Sequence, residues 1–171
     1  MRYLLTLLIA TSICFSSFAQ KEIDYKIKGF RDFIWGTELS EMVVDNEQAN
    51  FIKIDKEKDG EYYVLPNENL LIGNVLLTSI EYVFSKKDDR FYKVVLSGKK
   101  EDAEQMNFIV DFKYGDNVNE DSKDDKIIKQ WIVENVIITM KDYTFNKFEL
   151  VIESDWEAAE AYRKNTNVAD F

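Results

Sequence analysis

Histidine is absent from this chain of 171 residues, and its single cysteine, Cys14, lies in an apolar N-terminal stretch. Catalysis by a Ser-His-Asp triad, a Cys-His pair or a histidine-ligated zinc ion depends on one of these two residue types. An internal disulfide needs two cysteines. The sequence therefore excludes these three catalytic classes, and the fold must be stable without a disulfide.

Proline and glycine are also scarce. Pro66 is the one proline, and the six glycines are scattered singly, with no Gly-Lys followed by Ser or Thr. A phosphate-binding loop needs that pattern, so this class of nucleotide site is excluded. Aromatic residues, in contrast, make up 14% of the chain. Many aromatic residues with little proline favour a compact, sheet-rich domain over a disordered chain.

The first 19 residues have the three parts of a secretory signal peptide. Arg2 gives the positive start, residues 3–15 are almost wholly apolar, and small residues follow at the positions that a signal peptidase reads. We therefore predict cleavage before Gln20 and export to the periplasm or the extracellular space. A lipid anchor at Cys14 is not expected, because a lipoprotein signal has a small residue before its cysteine and Ile13 is large.

Residues 20–171 are long enough for one domain with a real core. They hold 21 basic and 32 acidic residues, a net charge of -11. A surplus of negative charge repels phosphate backbones, so nucleic acid is not expected as a partner. No membrane span is expected in this part of the chain. The expected partner class is an envelope protein or a glycan, and the sequence leaves the oligomeric state open.

Hydrophobic spacing predicts the order of helices and strands. Thr37 is positioned to cap a short first helix, and Asp155 to cap a third one. Between them, residues 99–114 have helical spacing and are followed by Gly115, a typical helix terminator. The acidic segment 116–126 has no such pattern and is predicted to be a surface loop. Strands are predicted at 50–54, 61–65, 74–84, 91–96, 127–133, 136–140 and 147–153.

The same spacing predicts which way side chains point. In the strand 74–84 the even positions, Leu76 among them, are predicted to face the core, which leaves Glu81 on a wetter face. In the longer helix, Phe108 lies opposite the predicted apolar stripe, and Phe112 lies at the margin of that stripe.

Helices and strands follow one another without a βαβ rhythm, and hairpin-like connections favour antiparallel pairing. We therefore predict the α+β class, in which a twisted antiparallel sheet has helices packed on one face. A helix followed by paired strands occurs twice, which leaves a degenerate helix-plus-strands repeat open.

Several phrases of the chain together carry a resemblance. They are Phe30 followed five residues later by Trp35-Gly36-Thr37 and then Glu41-Met42, the strand Ile80-Glu81-Tyr82-Val83-Phe84, and the helix end Phe112-x-Tyr114-Gly115. In this order they resemble a family of uncharacterised secreted bacterial proteins whose domain opens with Phe-x4-Trp-Gly-Thr/Ser-x3-Glu. The resemblance covers most of residues 30–163. It implies an exported α+β domain, similar to the small modules of β-lactamase inhibitor proteins and barrel-assembly lipoproteins, and it implies no catalytic residue.

Carboxylates are the catalytic groups that remain. Two acids about 5 to 9 Å apart can hydrolyse a glycosidic bond, and Glu81 with Glu134 or Glu149 is the pair to consider. The alternative is structural, because exposed strand positions in so acidic a chain carry glutamate without a catalytic role. The structural interpretation is favoured.

The acidic segment after the longer helix contains oxygen ligands of the kind that calcium takes. The candidate ligands are Asp116, Asn119, Asp121 and Asp124. The segment lacks the Asp-x-Asp-x-Asp-Gly frame of a calcium loop, so a solvated acidic loop is the favoured interpretation. No other cofactor is expected.

Aromatic side chains away from the predicted core are candidates for a binding surface. Phe91, Phe108 and Trp131 each lie opposite the main apolar stripe of their element, whereas Trp35 and Trp156 are expected to anchor helices. A second small core is the alternative for the first three. The sequence thus favours a non-enzymatic, exported binding or protein-interaction module of the bacterial cell envelope. A glycan-directed carboxylate hydrolase and a calcium-stabilised structural protein remain the alternatives.

Overall fold

The computed structural model describes residues 27–45, 50–56, 59–116, 119–123 and 126–155. The predicted signal peptide, Trp156 and the helix predicted after Asp155 lie outside these ranges. Among the described residues, no helix is both long and apolar enough to cross a membrane.

The described residues form a strand-rich structure with two α-helices. The first helix, α1, is Leu39–Asp45, and the second, α2, is Ala103–Tyr114, which follows a 3₁₀ turn at Lys100–Asp102. The predicted mixture of helix and antiparallel strand is confirmed. The strands are β1 Gly29–Phe30, β2 Phe33–Ile34, β3 Ile52–Ile54, β4 Glu61–Val64, β5 Leu71–Ile72, β6 Val75–Phe84, β7 Phe91–Lys99, β8 Asn119–Lys123, β9 Lys126–Val133, β10 Val136–Tyr143 and β11 Lys147–Ser154.

Within the described chain, nine strands form one sheet in which every pairing is antiparallel. Their order is β3-β4-β6-β7-β11-β10-β9-β8, and β5 pairs with the start of β6. Strands β1 and β2 form a separate hairpin. Leu96 of β7 lies opposite Ile80 on one side and Leu150 on the other, which joins the two halves of the chain. We call the sheet face that carries these three residues the inner face, and the opposite face the outer face.

The loop predicted at 116–126 is wrong in part, because Asn119–Lys123 forms β8 at the edge of the sheet. This strand pairs with β9, and Glu120 lies opposite Lys129 with 3.8 Å between the carboxylate oxygen and the ammonium nitrogen. Strands are predicted from apolar and polar residues that alternate along the chain. An edge strand with polar residues on both faces lacks this alternation, so the pattern does not predict it.

A β-bulge changes the side-chain alternation within β6. The register with β7 shifts at Thr78, so Leu77 shares the inner face with Ile80 although one position is odd and the other even. Leu77 is 2% exposed, whereas Leu76 is 62% exposed. The prediction that Leu76 faces the core is therefore wrong, because the bulge at Thr78 interrupts the regular alternation of side chains along β6.

A second register shift places Phe91 in the core. Near the start of β7 the pairing with β6 skips Tyr92, which moves Phe91 to the inner face. Phe91 is fully buried and stacks on Trp35 with 4.5 Å between ring centroids. The prediction that Phe91 lies opposite the main apolar stripe is wrong, because a register shift interrupts the side-chain alternation here as it does near Leu76.

Aromatic rings fill the part of the core next to residues 30–37, which we call the opening stretch of the domain. Such rings prefer edge-on or offset contacts over a face-to-face sandwich, because ring faces are negative and ring edges positive. The rings in edge or tilted contact, with centroids 5.2 to 6.3 Å apart, are Phe30, Phe33, Phe51, Tyr63, Tyr82, Phe84 and Phe91.

The opening stretch is attached to β7 through its backbone. The amide of Gly36 donates to the carbonyl of Phe91 at 2.8 Å, and the amide of Phe91 donates to the carbonyl of Thr37 at 3.0 Å. The guanidinium of Arg90 donates to the carbonyl of Gly36 at 2.7 Å. Together with the stacked Trp35, these bonds position the start of α1. The contacts of this stretch therefore stabilise the fold.

Candidate functional site

Helix α2 carries the exposed residues from which we build the candidate site. Its apolar residues Ala103, Met106 and Val110 recur at helical spacing and are buried. Gly115 ends the helix with φ at +85°, and its amide donates to the carbonyl of Asp111 at 2.8 Å. Glycine suits this position because a side chain would strain the left-handed backbone.

Trp131 of β9 anchors the C-terminal end of α2. Its indole Nε1–H lies 3.0 Å from Asp111 Oδ1 and 3.0 Å from the carbonyl oxygen of Gly115. The side-chain amide of Asn107 donates to the other oxygen of Asp111 at 3.1 Å. Trp131 is buried in the main core, so neither of the two interpretations considered for it, an exposed binding surface or a separate small core, holds. Strand β9 is apolar on both faces, and only the packing of α2 decides which face is covered.

The opposite side of α2 carries two exposed phenylalanines one turn apart, which we call the aromatic ridge. Phe108 is 62% exposed and Phe112 is 85% exposed. Their rings stack, with 6.3 Å between centroids and 24° between planes. At 3.6 residues per turn, the ridge points roughly 170° away from the buried side of the helix. The outward direction predicted for Phe108 is confirmed.

Helical spacing predicts that Phe112 lies at the margin of the buried stripe, whereas the structure exposes it beside Phe108. The signal that could have found it is its position four residues after Phe108, because residues at this spacing are neighbours on a helix surface.

Acidic side chains flank the aromatic ridge along the helix. Glu104 lies one turn before the ridge and Glu101 one turn earlier, and both are exposed. Asp116 is the second residue after the end of α2 and is also exposed. Glu101 is 3.6 Å from the ammonium of Lys99. Glu104 and Asp116 make no ion pair with any residue that the structure describes.

The one basic residue within α2 points away from the ridge. Lys113 is turned roughly 120° from the ridge direction at 100° per residue. Its ammonium lies 5.1 Å from the ring centroid of the neighbouring Tyr114. The electrostatic surroundings of the aromatic ridge are therefore acidic.

Glu81 lies on the outer face of β6, which the sequence predicts to be the wetter face of this strand. The structure differs, because Glu81 is buried. Lys56, from the connection between β3 and β4, donates to its two carboxylate oxygens at 2.5 and 2.6 Å. Glu81 and Lys56 thus form an ion pair that is largely removed from water. Glu81 could act on a substrate only after losing this partner.

The same connection covers Lys93 on the outer face of β7. Lys93 is buried and donates to the carboxylate of Asp59, which also accepts from the hydroxyl of Tyr62 at 2.9 Å. Burial is the largest single influence on Lys93 and would lower its pKa, but the hydrogen bond to Asp59 together with Tyr92 and the charge of Glu153 outweighs it, and the pKa is raised. At Asp59, burial opposes the bonds from Lys93 and Tyr62, and the pKa is lowered. Both charges are thus stabilised in the folded state.

The acids considered as partners for Glu81 lie elsewhere. Glu134 is exposed in the turn between β9 and β10. Glu149, on the outer face of β11, accepts from Lys147 at 2.7 Å and from the hydroxyl of Tyr143 at 3.1 Å. Burial, followed by the charge of Glu149, raises the pKa of Tyr143 to about 12. The strand register puts the backbones of Glu149 and Glu81 roughly 12 Å apart.

The predicted calcium ligands are placed on different elements. Asn119 and Asp121 lie on the outer face of β8, opposite residues of β9, and Asp116 follows the end of α2. Asp124 lies outside the described residues. Among the residues that are described, no group of three or more His, Cys, Asp or Glu side chains is arranged to hold a metal ion.

A further acid, Glu68, has a largely covered side chain, and no pattern in the sequence singles it out. It accepts hydrogen bonds from the hydroxyl of Tyr82 and from the guanidinium of Arg31, which also donates to the carbonyl of Asn69. Burial raises the pKa of Glu68, and the two donors only partly oppose it. The cluster ties the β1–β2 hairpin to the connection between β4 and β5. No local sequence signal marks it, because its members are far apart in the chain.

Comparison of the chain with protein-family models, with curated proteins and with solved structures finds no match. The geometry of the described residues is therefore the basis on which a function is proposed.

Proposed function

We propose that this chain is an exported, non-enzymatic binding or protein-interaction module of the bacterial cell envelope, and that the aromatic ridge is its contact surface. The observation that carries the proposal is the stacked, exposed pair of Phe108 and Phe112, opposite the buried side of α2. The signal-peptide pattern of residues 1–19 and the resemblance to secreted bacterial proteins support export and envelope location.

The aromatic ridge is suited to binding for a physical reason. Single exposed apolar residues are common and need no explanation, but two adjacent rings form a continuous apolar surface. Burying a phenylalanine side chain contributes about 1.5 to 3 kcal/mol. The ridge stands on a helix whose end is held by Trp131, so little conformational freedom remains to be lost on binding.

The surroundings of the buried acids also support a non-enzymatic function. Glu81 is paired with a lysine, Glu149 with another, and Glu68 with an arginine. A general acid or nucleophile needs access to substrate, whereas these carboxylates are occupied by cations from their own chain. Their contacts favour structural roles over carboxylate-dependent hydrolysis.

The finer architecture is part of the proposal. We propose that both helices pack on the inner face of the sheet, as expected for the α+β class. The core supports this arrangement, since it joins Met42 of α1 and Met106 of α2 to the inner-face residues Leu96 and Ile138. The order of α1 before β3–β7 and α2 before β8–β11 is in keeping with a degenerate repeat.

Photo-crosslinking in the native cell tests the proposed function. A photoreactive amino acid would replace Phe108 or Phe112, with Phe145 as the matched control because it is also highly exposed and lies in the β10–β11 turn. We expect a chain that begins at Gln20 in the envelope fraction, with a discrete adduct from the two ridge positions and none from position 145. Equal adducts from all three positions, or none from the ridge, would contradict the proposal.

A further inference from the structure

Resting on the proposed function of the aromatic ridge, we infer that its partner is a cationic amphipathic segment of another protein. Apolar side chains of that segment pack on Phe108 and Phe112, and its Lys or Arg side chains reach the carboxylates of Glu101, Glu104 and Asp116. Cations also bind the faces of aromatic rings, so a basic segment suits the ridge in two ways.

The arrangement of charge carries this inference. Glu101 and Glu104 lie before the ridge in the chain and Asp116 lies after it, all three are exposed, and the one lysine of α2 points away from the ridge. Two of the three, Glu104 and Asp116, have no cationic partner in the described part of the chain. Both carboxylates are thus open to a cationic partner, and complementary charges steer and orient a partner.

The same charges argue against three other occupants. A second copy of the chain would bring one acidic ridge against another, and like charges that face each other at close range are unfavourable. An anionic lipid surface would be repelled in the same manner, since membrane-surface helices carry basic and not acidic residues beside their apolar face. A glycan without free amino groups has no positive charge to meet the carboxylates.

The small size of the ridge predicts a short segment and a transient complex. Two phenylalanine side chains expose far less apolar area than a stable protein interface buries. Electrostatic attraction then contributes a large share of the association rate, and the affinity should fall as salt screens the charges.

Binding of labelled synthetic peptides to the purified chain tests this inference by fluorescence anisotropy. One peptide is an amphipathic helix of about 18 residues with Leu on one face and Lys on the other, which is five helical turns. A second has Glu in place of Lys, and a third has Ser in place of Leu. We expect the Leu/Lys peptide to bind and the other two to bind at least about tenfold more weakly.

Protein variants locate the binding surface. The double change Phe108→Ser with Phe112→Ser should weaken binding of the Leu/Lys peptide about tenfold or more, and Glu101→Gln with Glu104→Gln should weaken it and reduce its salt dependence. The matched controls are Phe145→Ser and the pair Glu41→Gln with Glu153→Gln, exposed residues on other elements. These controls should bind as the unchanged protein does, and all variants should keep its melting temperature.

Three results would overturn the inference: no binding of the Leu/Lys peptide, equal binding of the Leu/Glu peptide, or equal losses in the control variants. If the ridge positions nevertheless give a discrete crosslinked partner in cells, the proposed function stands and only the cationic partner is wrong. If crosslinking fails as well, the proposed function and the inference fall together.

Discussion

At the scale of single residues, Glu68 illustrates how the surroundings of a side chain depend on distant parts of the chain. Its partners Tyr82 and Arg31 are 14 and 37 positions away. Burial is the largest influence on its pKa and raises it, so the folded state holds a proton on Glu68 more readily than the unfolded state. Ionising Glu68 therefore lowers the free energy of unfolding as pH rises from the unfolded pKa to the raised folded pKa.

The variant Glu68→Gln tests this sign. Glutamine does not titrate, so the free energy of unfolding of the unchanged protein, minus that of the variant, should fall as pH rises from about 4 towards 7. Urea unfolding at several pH values measures this difference, with Glu41→Gln as an exposed control. If the difference is constant or rises over this range, the folded protein does not disfavour the charged form of Glu68, and the prediction is wrong.

Three aromatic residues show how far residue-level prediction reaches. Phe108 was placed correctly, because a regular helix fixes its direction relative to its neighbours in the chain. Phe91 and Trp131 were not, since a register shift moves the first and the second lies on a strand with two apolar faces. For such residues the face that is covered depends on elements elsewhere in the chain.

At the scale of elements, the predicted strands from 50–54 to 147–153 and the helix before Gly115 were all found. Their periods and turn residues are local properties of the chain. The bulge in β6 was missed because it leaves no mark on residue type, and β8 was missed because its residues are polar on both faces.

Leu76 and Leu77 provide a direct test of the bulge in β6. Leu77→Ala should lower the free energy of unfolding by about 2 to 5 kcal/mol, because it leaves a cavity in the core. Leu76→Ala, at an exposed position, should change it by no more than about 0.5 kcal/mol. Chemical denaturation of the two variants measures the difference. Equal losses, or a larger loss at Leu76, would mean that the alternation runs through β6 without a bulge.

At the scale of the whole molecule, the pH range of stability depends in part on the pair of Asp59 and Lys93. The lowered pKa of Asp59 stabilises the fold above its unfolded value of about 4, and this contribution is lost as pH falls through the folded pKa. The raised pKa of Lys93 stabilises the fold below its unfolded value of about 10.4, and this is lost as pH rises through the folded pKa. The pair therefore contributes between these limits.

Replacing Asp59 by Ala should lower the free energy of unfolding at neutral pH by about 1 kcal/mol, a modest value because the Asp59 side chain is 60% exposed and water screens the pair. The loss should disappear when the pH falls below the pKa of Asp59. Thermal unfolding across pH measures it, and Asp55→Ala on the same connection is the control. A loss that is the same at acidic and neutral pH would show that the ion pair is not its cause.

The sequence by itself determined the types of element, the helix stop at Gly115, the acidic charge, the lack of histidine chemistry and the lack of an internal disulfide. These follow from composition and from periods of two or 3.6 residues, which backbone geometry imposes locally. Only the tertiary structure decided which faces are buried, which carboxylates are paired, and that Phe108 and Phe112 stand together outside the core. Those outcomes depend on register, bulges and contacts between distant residues, because burial is a property of the assembled sheet and helices.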